Sequence, residues 1–471
     1  MNARKLRKGC LLAIPLVIGL VGFLVSGMRF LDALFSAICL YGMEVQESPP
    51  NFLVEIARWT APVATAGGFL FVISKARRSL RNWVKYKRGG SVAVYGQEAE
   101  RLRFLEKLGT RGIEGQDGFV QASKYVLLDD EERNFAFYAR VKSKLKHRPV
   151  YMRSSSLRPQ AVRDPELRVF SAEETAARLF WKDRCLYGEA KAAGWRLKLV
   201  ILGFGRLGEE LLNYAVQDNV FSPDQCIEYH VFGGDGRYPA LHPRLSELED
   251  RIIFHEEPWY TALPLLEEAV RILVVQQEGQ TALVNDLLLA VLHPPLVVFC
   301  ADTTGAQLLE AQARLILYPW QEIAQDPEDV LSDRLYDNAK RLNLRYAHTY
   351  NGTAETEENK EAAWAGLDSF TRYSNISAAD YHEIQLRMLR EDGERAAAGS
   401  LSDEYIERFA HLEHMRWCRY HWLNNWSLGT PANGKNKDPG ARIHVDLRPY
   451  AELSEAEKQK DRDNIRLLFA E

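Results

Sequence analysis

Residues 196–208 read RLKLVILGFGRLG. An apolar run from Leu197 to Leu202 enters Gly203, Gly205 and Gly208, and an amphipathic segment follows through Tyr214. Between a strand and a helix, this G-x-G-x-x-G spacing suits a pyrophosphate. The first glycine permits the tight turn, the second lets the phosphates approach the backbone, and the third lets helix and strand pack closely. The helix N-terminus then faces the anion. A ribose-binding acid is expected at the tip of the next strand, but the chain reads YHVFGGDG there, so Asp235 lies beyond two glycines. The reading is a site for NAD or another adenine nucleotide built from Gly203, Gly205, Arg206, Gly208 and Asp235; a glycine turn kept for packing alone is the alternative.

A second candidate lies near the C-terminus, where His414, Trp417, Trp426 and Tyr450 accompany Lys458 and Arg462, with Arg416 and Arg419 in the same stretch. Aromatic faces beside cations can stack a base and neutralise a phosphate. Trp426 and Tyr450 flank turns and are the preferred stacking groups, whereas Trp417 falls on the inner face of its helix. The charged run from Glu455 to Arg466 reads as a solvated helix face laced with i, i+4 pairs. No catalytic residues emerge: His255, Glu256 and Glu257 are neighbours at a strand end, where such runs are more often loop than site. The six cysteines show no paired CxxC spacing, which argues against a zinc site or a disulfide framework, and no metal is expected.

These residues need a scaffold. Strands are expected over Glu228–Phe232, Arg251–Phe254, Arg271–Val275, Leu296–Cys300 and Leu315–Tyr318, mostly separated by helices, as in a parallel doubly wound sheet. A shorter unit precedes them, with strands at Ser91–Tyr95, Tyr125–Leu128, Val150–Met152 and Arg168–Phe170 and helices at Glu98–Leu108 and Glu131–Lys146. Its first turn, YGQEAE, has Gly96 alone and lacks the phosphate-cradling pattern. With 471 residues, 46% of them hydrophobic, the chain should divide into about three domains. A net charge of −4 gives no basic signature, so no nucleic-acid partner is expected.

The N-terminal end predicts a membrane anchor. Leu11 to Gly27 is apolar or small apart from Ser26, and a second stretch runs from about Phe52 to Ser74. Arg4, Lys5, Arg7 and Lys8 precede the first stretch, and no small-x-small cleavage site follows it. Lys75, Arg77, Arg78, Arg81, Lys85, Lys87 and Arg88 follow the second, which places both termini in the cytoplasm by the positive-inside rule. Between them, Met28 to Met43 could form a pore helix, although the TVGYG-type filter is absent and the nearest text is Cys39-Leu40-Tyr41-Gly42-Met43.

Two Rossmann-like units behind two membrane spans resemble the RCK (TrkA-N type) regulatory domains of potassium channels and uptake systems, over roughly Gly89 to Ala324, with GFGRLG as the one specific motif. The last third is similar to the ryanodine-receptor (RyR) repeat domain. Its matches are Glu413, His414, Trp417, Trp426, Gly429, His444, Leu447, Pro449, Tyr450, Leu453, Glu457, Lys458, Lys460, Asp461 and Arg462. Asn425 and Val445 depart from that pattern, and Trp364, Leu367, Tyr373-Ser374-Asn375 and Ala379-Asp380 resemble a degenerate first half.

Together these readings give a fold of two N-terminal transmembrane helices (1–88), a degenerate Rossmann-like domain (89–195), a Rossmann-like domain with the glycine motif (196–324), a helical linker with the degenerate RyR-like half (325–400) and a mainly helical RyR domain (401–471). The resemblances imply a non-enzymatic, inner-membrane, multi-pass sensor-effector, in contact with lipid and assembled as a dimer or tetramer, in which a nucleotide ligand controls ion movement. The alternatives are a membrane-bound NAD-dependent oxidoreductase and a non-conducting scaffold.

Overall fold

The computed structural model describes residues 3–42, 51–115, 118–164, 166–301, 313–332, 334–393, 401–432 and 434–469. The chain divides into two compact units, one comprising 1–93 with 118–123, the other 94–117 with 124–471.

The first unit holds the helices Ala3–Val25, Phe30–Cys39 and Phe52–Lys87. Small residues set their close approach: a Cβ at Gly22 would fall 2.8 Å from Val54 Cγ2 and 2.9 Å from Val54 N. Phe23, Ala33, Ala37, Leu40, Val54, Ala57 and Ala61 form the buried core. Asn51 caps the long helix by accepting from Leu53 N, and its Nδ2 donates to Gly22 O and Ser26 Oγ at 2.9 and 3.1 Å.

The membrane expectation is corrected here. Among the described residues, no helix is long and apolar enough to cross a membrane. Ala3–Val25 carries Arg4, Lys5, Arg7 and Lys8 in its opening turns; the remaining stretch rises roughly 26 Å at about 1.5 Å per residue, short of a hydrocarbon core of about 30 Å. In Phe52–Lys87, Glu55, Arg58, Thr60 and Thr65 interrupt the apolar residues before the basic run begins. The two transmembrane helices, the multi-pass inner-membrane placement and the lipid contact drawn from them are therefore not supported. Of the residues proposed as a filter, Met43 lies outside those described, and Leu40–Gly42 form a single 3-10 turn.

Apart from Val92 and Ala93, which fall in the first unit, the shorter sheet belongs to the second unit and has the order β2-β1-β3-β4-β5, from β1 (Val92–Tyr95), β2 (Gly112–Glu114), β3 (Lys124–Leu127), β4 (Val150–Arg153) and β5 (Leu167–Phe170). β3, β4 and β5 pair in parallel. β2 was not expected from the sequence; it is three residues long, too short for an alternating pattern to register.

The larger sheet is built from β6 (Arg196–Leu202), β7 (Cys226–Phe232), β8 (Arg251–His255), β9 (Arg271–Val274), β10 (Leu296–Phe299) and β11 (Leu315–Tyr318). Its order is β11-β10-β9-β6-β7-β8, with every pair parallel. Counted within the sheet this is 6-5-4-1-2-3, the doubly wound Rossmann order, with the direction of winding reversing between β6 and β9. Strands covered by helices on both faces carry continuous apolar runs, and Leu199–Leu202 and Ile272–Val274 are accordingly buried throughout.

The C-terminal helices complete the core of this unit. Tyr381, Ile384 and Met388 of helix Ser369–Glu391, together with Phe409, Leu412 and Met415 of helix Asp403–Leu423, join one apolar cluster with Leu199, Leu211 and Tyr229 of the Rossmann-type sheet and its first helix. Three short strands, β12 (Ser427–Leu428), β13 (Lys437–Asp438) and β14 (Ile443–His444), follow, and the described chain closes with helix Glu455–Leu468.

Candidate functional site

The glycine motif sits at the reversal point of the larger sheet. Gly203 has φ +87°, a left-handed conformation costly for any residue with a side chain, and an added Cβ would lie 2.6 Å from Gln276 N beyond β9. Its N–H donates to Phe232 O at 2.9 Å, and Val275 N and Gln276 N both donate to Leu202 O, at 2.8 and 3.0 Å, so the loops after β6, β7 and β9 are fastened together. A Cβ at Gly208 would come within 3.1 Å of the Phe204 ring and 3.2 Å of Gly203 O. Gly205 differs. It caps helix Arg206–Asp218 with φ −95° and ψ −161°, ordinary extended backbone, and, its two chain neighbours aside, no heavy atom lies within 4 Å of where its Cβ would stand.

The helix opening at Arg206 presents unsatisfied backbone N–H groups at this open face. Beside it, the Phe204 ring packs edge-on against Tyr238 and Phe254, with centroids 5.3 and 5.2 Å away. The pyrophosphate half of a dinucleotide therefore fits the turn. The ribose half fits less well: β7 ends at Phe232, whose ring stacks on His255 at 4.3 Å, and Gly233 follows with φ +91°. Asp235 is exposed and accepts from Arg237 N at 3.0 Å, just ahead of the short helix Arg237–Leu241, whose N-cap is Gly236. The structure thus keeps Gly203, Gly205, Arg206 and Gly208 in one turn, with Asp235 on the adjacent loop. His255, of the acidic neighbourhood noted in the sequence, has Nε2 2.9 Å from His230 Nδ1, and burial lowers the pKa of both rings.

Behind the turn lies a charge cluster around two buried carboxyls, Glu174 and Glu210, that linear reading missed, because its charged members come from four separate segments. Arg206 Nη2 lies 2.6 Å from Glu210 Oε1, and Nη1 3.4 Å from Glu209 Oε2; Arg237 from the next loop also pairs with Glu209. Glu174, on helix Ala172–Arg184, accepts from Tyr214 OH at 3.3 Å and from Tyr373 OH at 3.2 Å. Burial, then the neighbouring Glu210 charge, push its carboxyl up to about 7. Burial likewise raises Glu210, against the pull of Arg206. Arg158 lies over the Tyr373 ring, 5.7 Å from its centroid.

The C-terminal candidates fall into two packed groups. His414 is buried, with Nε2 donating to Arg448 O at 2.8 Å, and desolvation lowers its pKa to about 4. Trp417 is half-buried against His421 at 4.0 Å and His444 at 4.9 Å, whereas Trp426 is enclosed and stacks on Phe370 at 5.0 Å. Tyr450 is also enclosed, stacked on His411 at 4.8 Å. Lys458 Nζ sits 5.5 Å above the Tyr450 ring and donates to Ala451 O, and Arg462 pairs with Glu407 and Glu455. Arg416 and Arg419 have structural partners. Arg416 forks onto Glu413 and donates to Ser377 Oγ, while Arg419, fully buried, bonds Asp250 at 2.7 Å, Glu249 at 3.1 Å and Val216 O at 3.0 Å.

No protein-family model matches the sequence, and no curated relative matches it. Among solved structures, the chain is similar to a dipicolinate synthase subunit from Bacillus halodurans, at 12% identity over 52% of this chain and 97% of that one, with a TM-score of 0.24. It is also similar to a glycerate dehydrogenase related protein from Thermoplasma acidophilum, at 12% identity over 50% and 95%, with a TM-score of 0.20. Superpositions this loose carry no argument, and the Rossmann-type assignment rests on the strand order and parallel pairing.

Proposed function

We propose that this chain is a nucleotide-binding regulatory protein whose ligand, NAD or a related adenine nucleotide, sets its phosphates on the Gly203–Gly208 turn. The observation that carries the reading is Gly205. Packing accounts for Gly203 and Gly208, each closed in by neighbouring atoms, but Gly205 has a backbone any residue adopts and open space where a side chain would go. A phosphate seated on the backbone explains that space.

A regulatory role is favoured over a catalytic one by the surroundings. Among the described residues, the loops after β6 and β9 offer Phe204, Gln276, Gln277 and the single carboxyl of Glu278, and no acid-base pair for chemistry on a bound substrate. The helix that begins at the turn is buried against helices Ser369–Glu391 and Asp403–Leu423, so an ordered turn can be felt in the C-terminal helices. The RCK-like and RyR-like sequence patterns support the same role, with ion conduction left out because it depended on the membrane helices.

The test is thermal unfolding with a panel of NAD, NADP, ADP and AMP. A binder at 100 times its Kd stabilises the fold by about 2.7 kcal/mol, and Gly205→Val should abolish the shift while the protein still unfolds cooperatively. A panel without any shift in the parent protein returns the turn to a packing role.

A further inference from the structure

We propose that a ligand phosphate at the Gly203–Gly208 turn draws Arg206 away from Glu210, and that Glu210 then takes up a proton, so that ligand and proton bind together. The inference rests on the nucleotide reading above and adds to it the side chain that grips the phosphate and a control of affinity by pH.

Arg206 is poised to move. It is the first residue of the helix, next to the open space at Gly205. Its side chain remains 37% exposed, and its Nε is buried without a hydrogen-bond partner. Its two ion pairs differ in what they leave behind. Glu209 keeps Arg237 when Arg206 departs. Glu210, with a side chain only 9% exposed, has Arg206 at 2.6 Å as its ion-pair partner among the described residues.

The other groups facing Glu210 do not replace that charge. On its own helix stand Glu209, Asn213 and Tyr214, and Asn213 donates to it. From helix Ala172–Arg184 comes Glu174, itself buried, with Arg178 behind it; from helix Ser369–Glu391 comes Tyr373; and from helix Arg237–Leu241 comes Tyr238. Arg158, on the segment between β4 and β5, is the remaining cation. Without Arg206, Glu210 is a desolvated carboxylate beside Glu174, which itself holds a proton up to about 7, and burial then favours the neutral form of Glu210. Glu210 is already raised by burial, and Arg206 is the largest influence holding it down. Its departure leaves protonation from solvent as the compensation, and the guanidinium charge passes to the ligand phosphate.

The sign follows from linkage. A group that gains a proton on binding makes the affinity fall as pH rises, by up to tenfold per unit between its pKa values in the free and bound states. The experiment is calorimetric titration of the full chain with NAD at pH 7, in PIPES and in Tris buffer, whose ionisation enthalpies differ and neither of which offers a phosphate to the turn, with the Kd also followed from pH 6 to 8. The expected result is uptake of up to one proton per NAD and a Kd that weakens with pH. Glu210→Gln should bind with no uptake and a flat Kd, and Arg206→Gln should lose about tenfold or more in affinity along with the uptake. A flat Kd and zero uptake in the parent protein, which needs no variant to fold, overturn the coupling while leaving the nucleotide site standing. Uptake that persists in Glu210→Gln also overturns it. No heat with NAD, NADP, ADP or AMP overturns the nucleotide reading, and the coupling falls with it.

Discussion

At the scale of single residues, three glycines in one motif have three different reasons to be glycine. Gly203→Ala forces a side chain into φ +87° and into Gln276 N at 2.6 Å; the strain alone is about 1–2 kcal/mol, and the backbone contact adds to it. Chemical denaturation should therefore show a loss of about 2–4 kcal/mol for Gly203→Ala. Gly205→Ala should lose under about 1 kcal/mol, the effect of a changed helix cap. Equal losses at the two positions would contradict the geometry. The motif and its strand-turn-helix setting were legible in the sequence because all three glycines fall within six residues, 203–208. What each glycine does was not, because Gln276, Phe204 and Phe232 reach the turn from elsewhere in the chain or only through the folded ring geometry.

At the scale of elements, buried polar groups fasten the C-terminal helices to the Rossmann-type sheet. Arg419 and Asp250 are both fully buried and 2.7 Å apart, so Arg419→Met strands a carboxylate and should cost about 3–5 kcal/mol. Adding Asp250→Asn should cost less than the sum of the single changes, a difference readable by a double-mutant cycle in urea. The sequence had offered Arg416 and Arg419 as phosphate-binding cations, since a helix rich in Trp and Arg reads the same whether its cations face a ligand or a neighbouring element. Glu174 gives a pH test. Its folded pKa, about 7, is above the ordinary carboxylate value, so the folded state holds the extra proton. Its contribution to stability is present below pH 4.5 and is lost as pH rises toward about 7. Glu174→Gln should flatten the dependence of unfolding free energy on pH in that window by up to about 1.4 kcal/mol per unit. An unchanged slope would show that the carboxyl is not held protonated.

At the scale of the whole molecule, the strand succession of the Rossmann-type sheet was readable because each strand is a buried apolar run bounded by turns. The N-terminal helices misled for the same reason: apolar composition marks burial against protein as readily as burial in lipid, and Ala33, Ala37, Ala57 and Ala61 pack helix on helix. The union of the C-terminal helices with the sheet in one core was not legible, because its contacts join residues some two hundred positions apart, such as Arg178 Nε and Asp380 Oδ2 at 2.6 Å. That union is what would let a nucleotide at the turn act at a distance. The most direct measurement is hydrogen exchange of the full chain, followed by mass spectrometry with and without saturating NAD. Nucleotide on the turn should slow exchange of the backbone amides at 203–209 and, through the shared core, of helix Asp403–Leu423. Protection confined to the segment around Tyr450, or none at 203–209 under conditions where NAD binds, would contradict a phosphate site on the glycine turn.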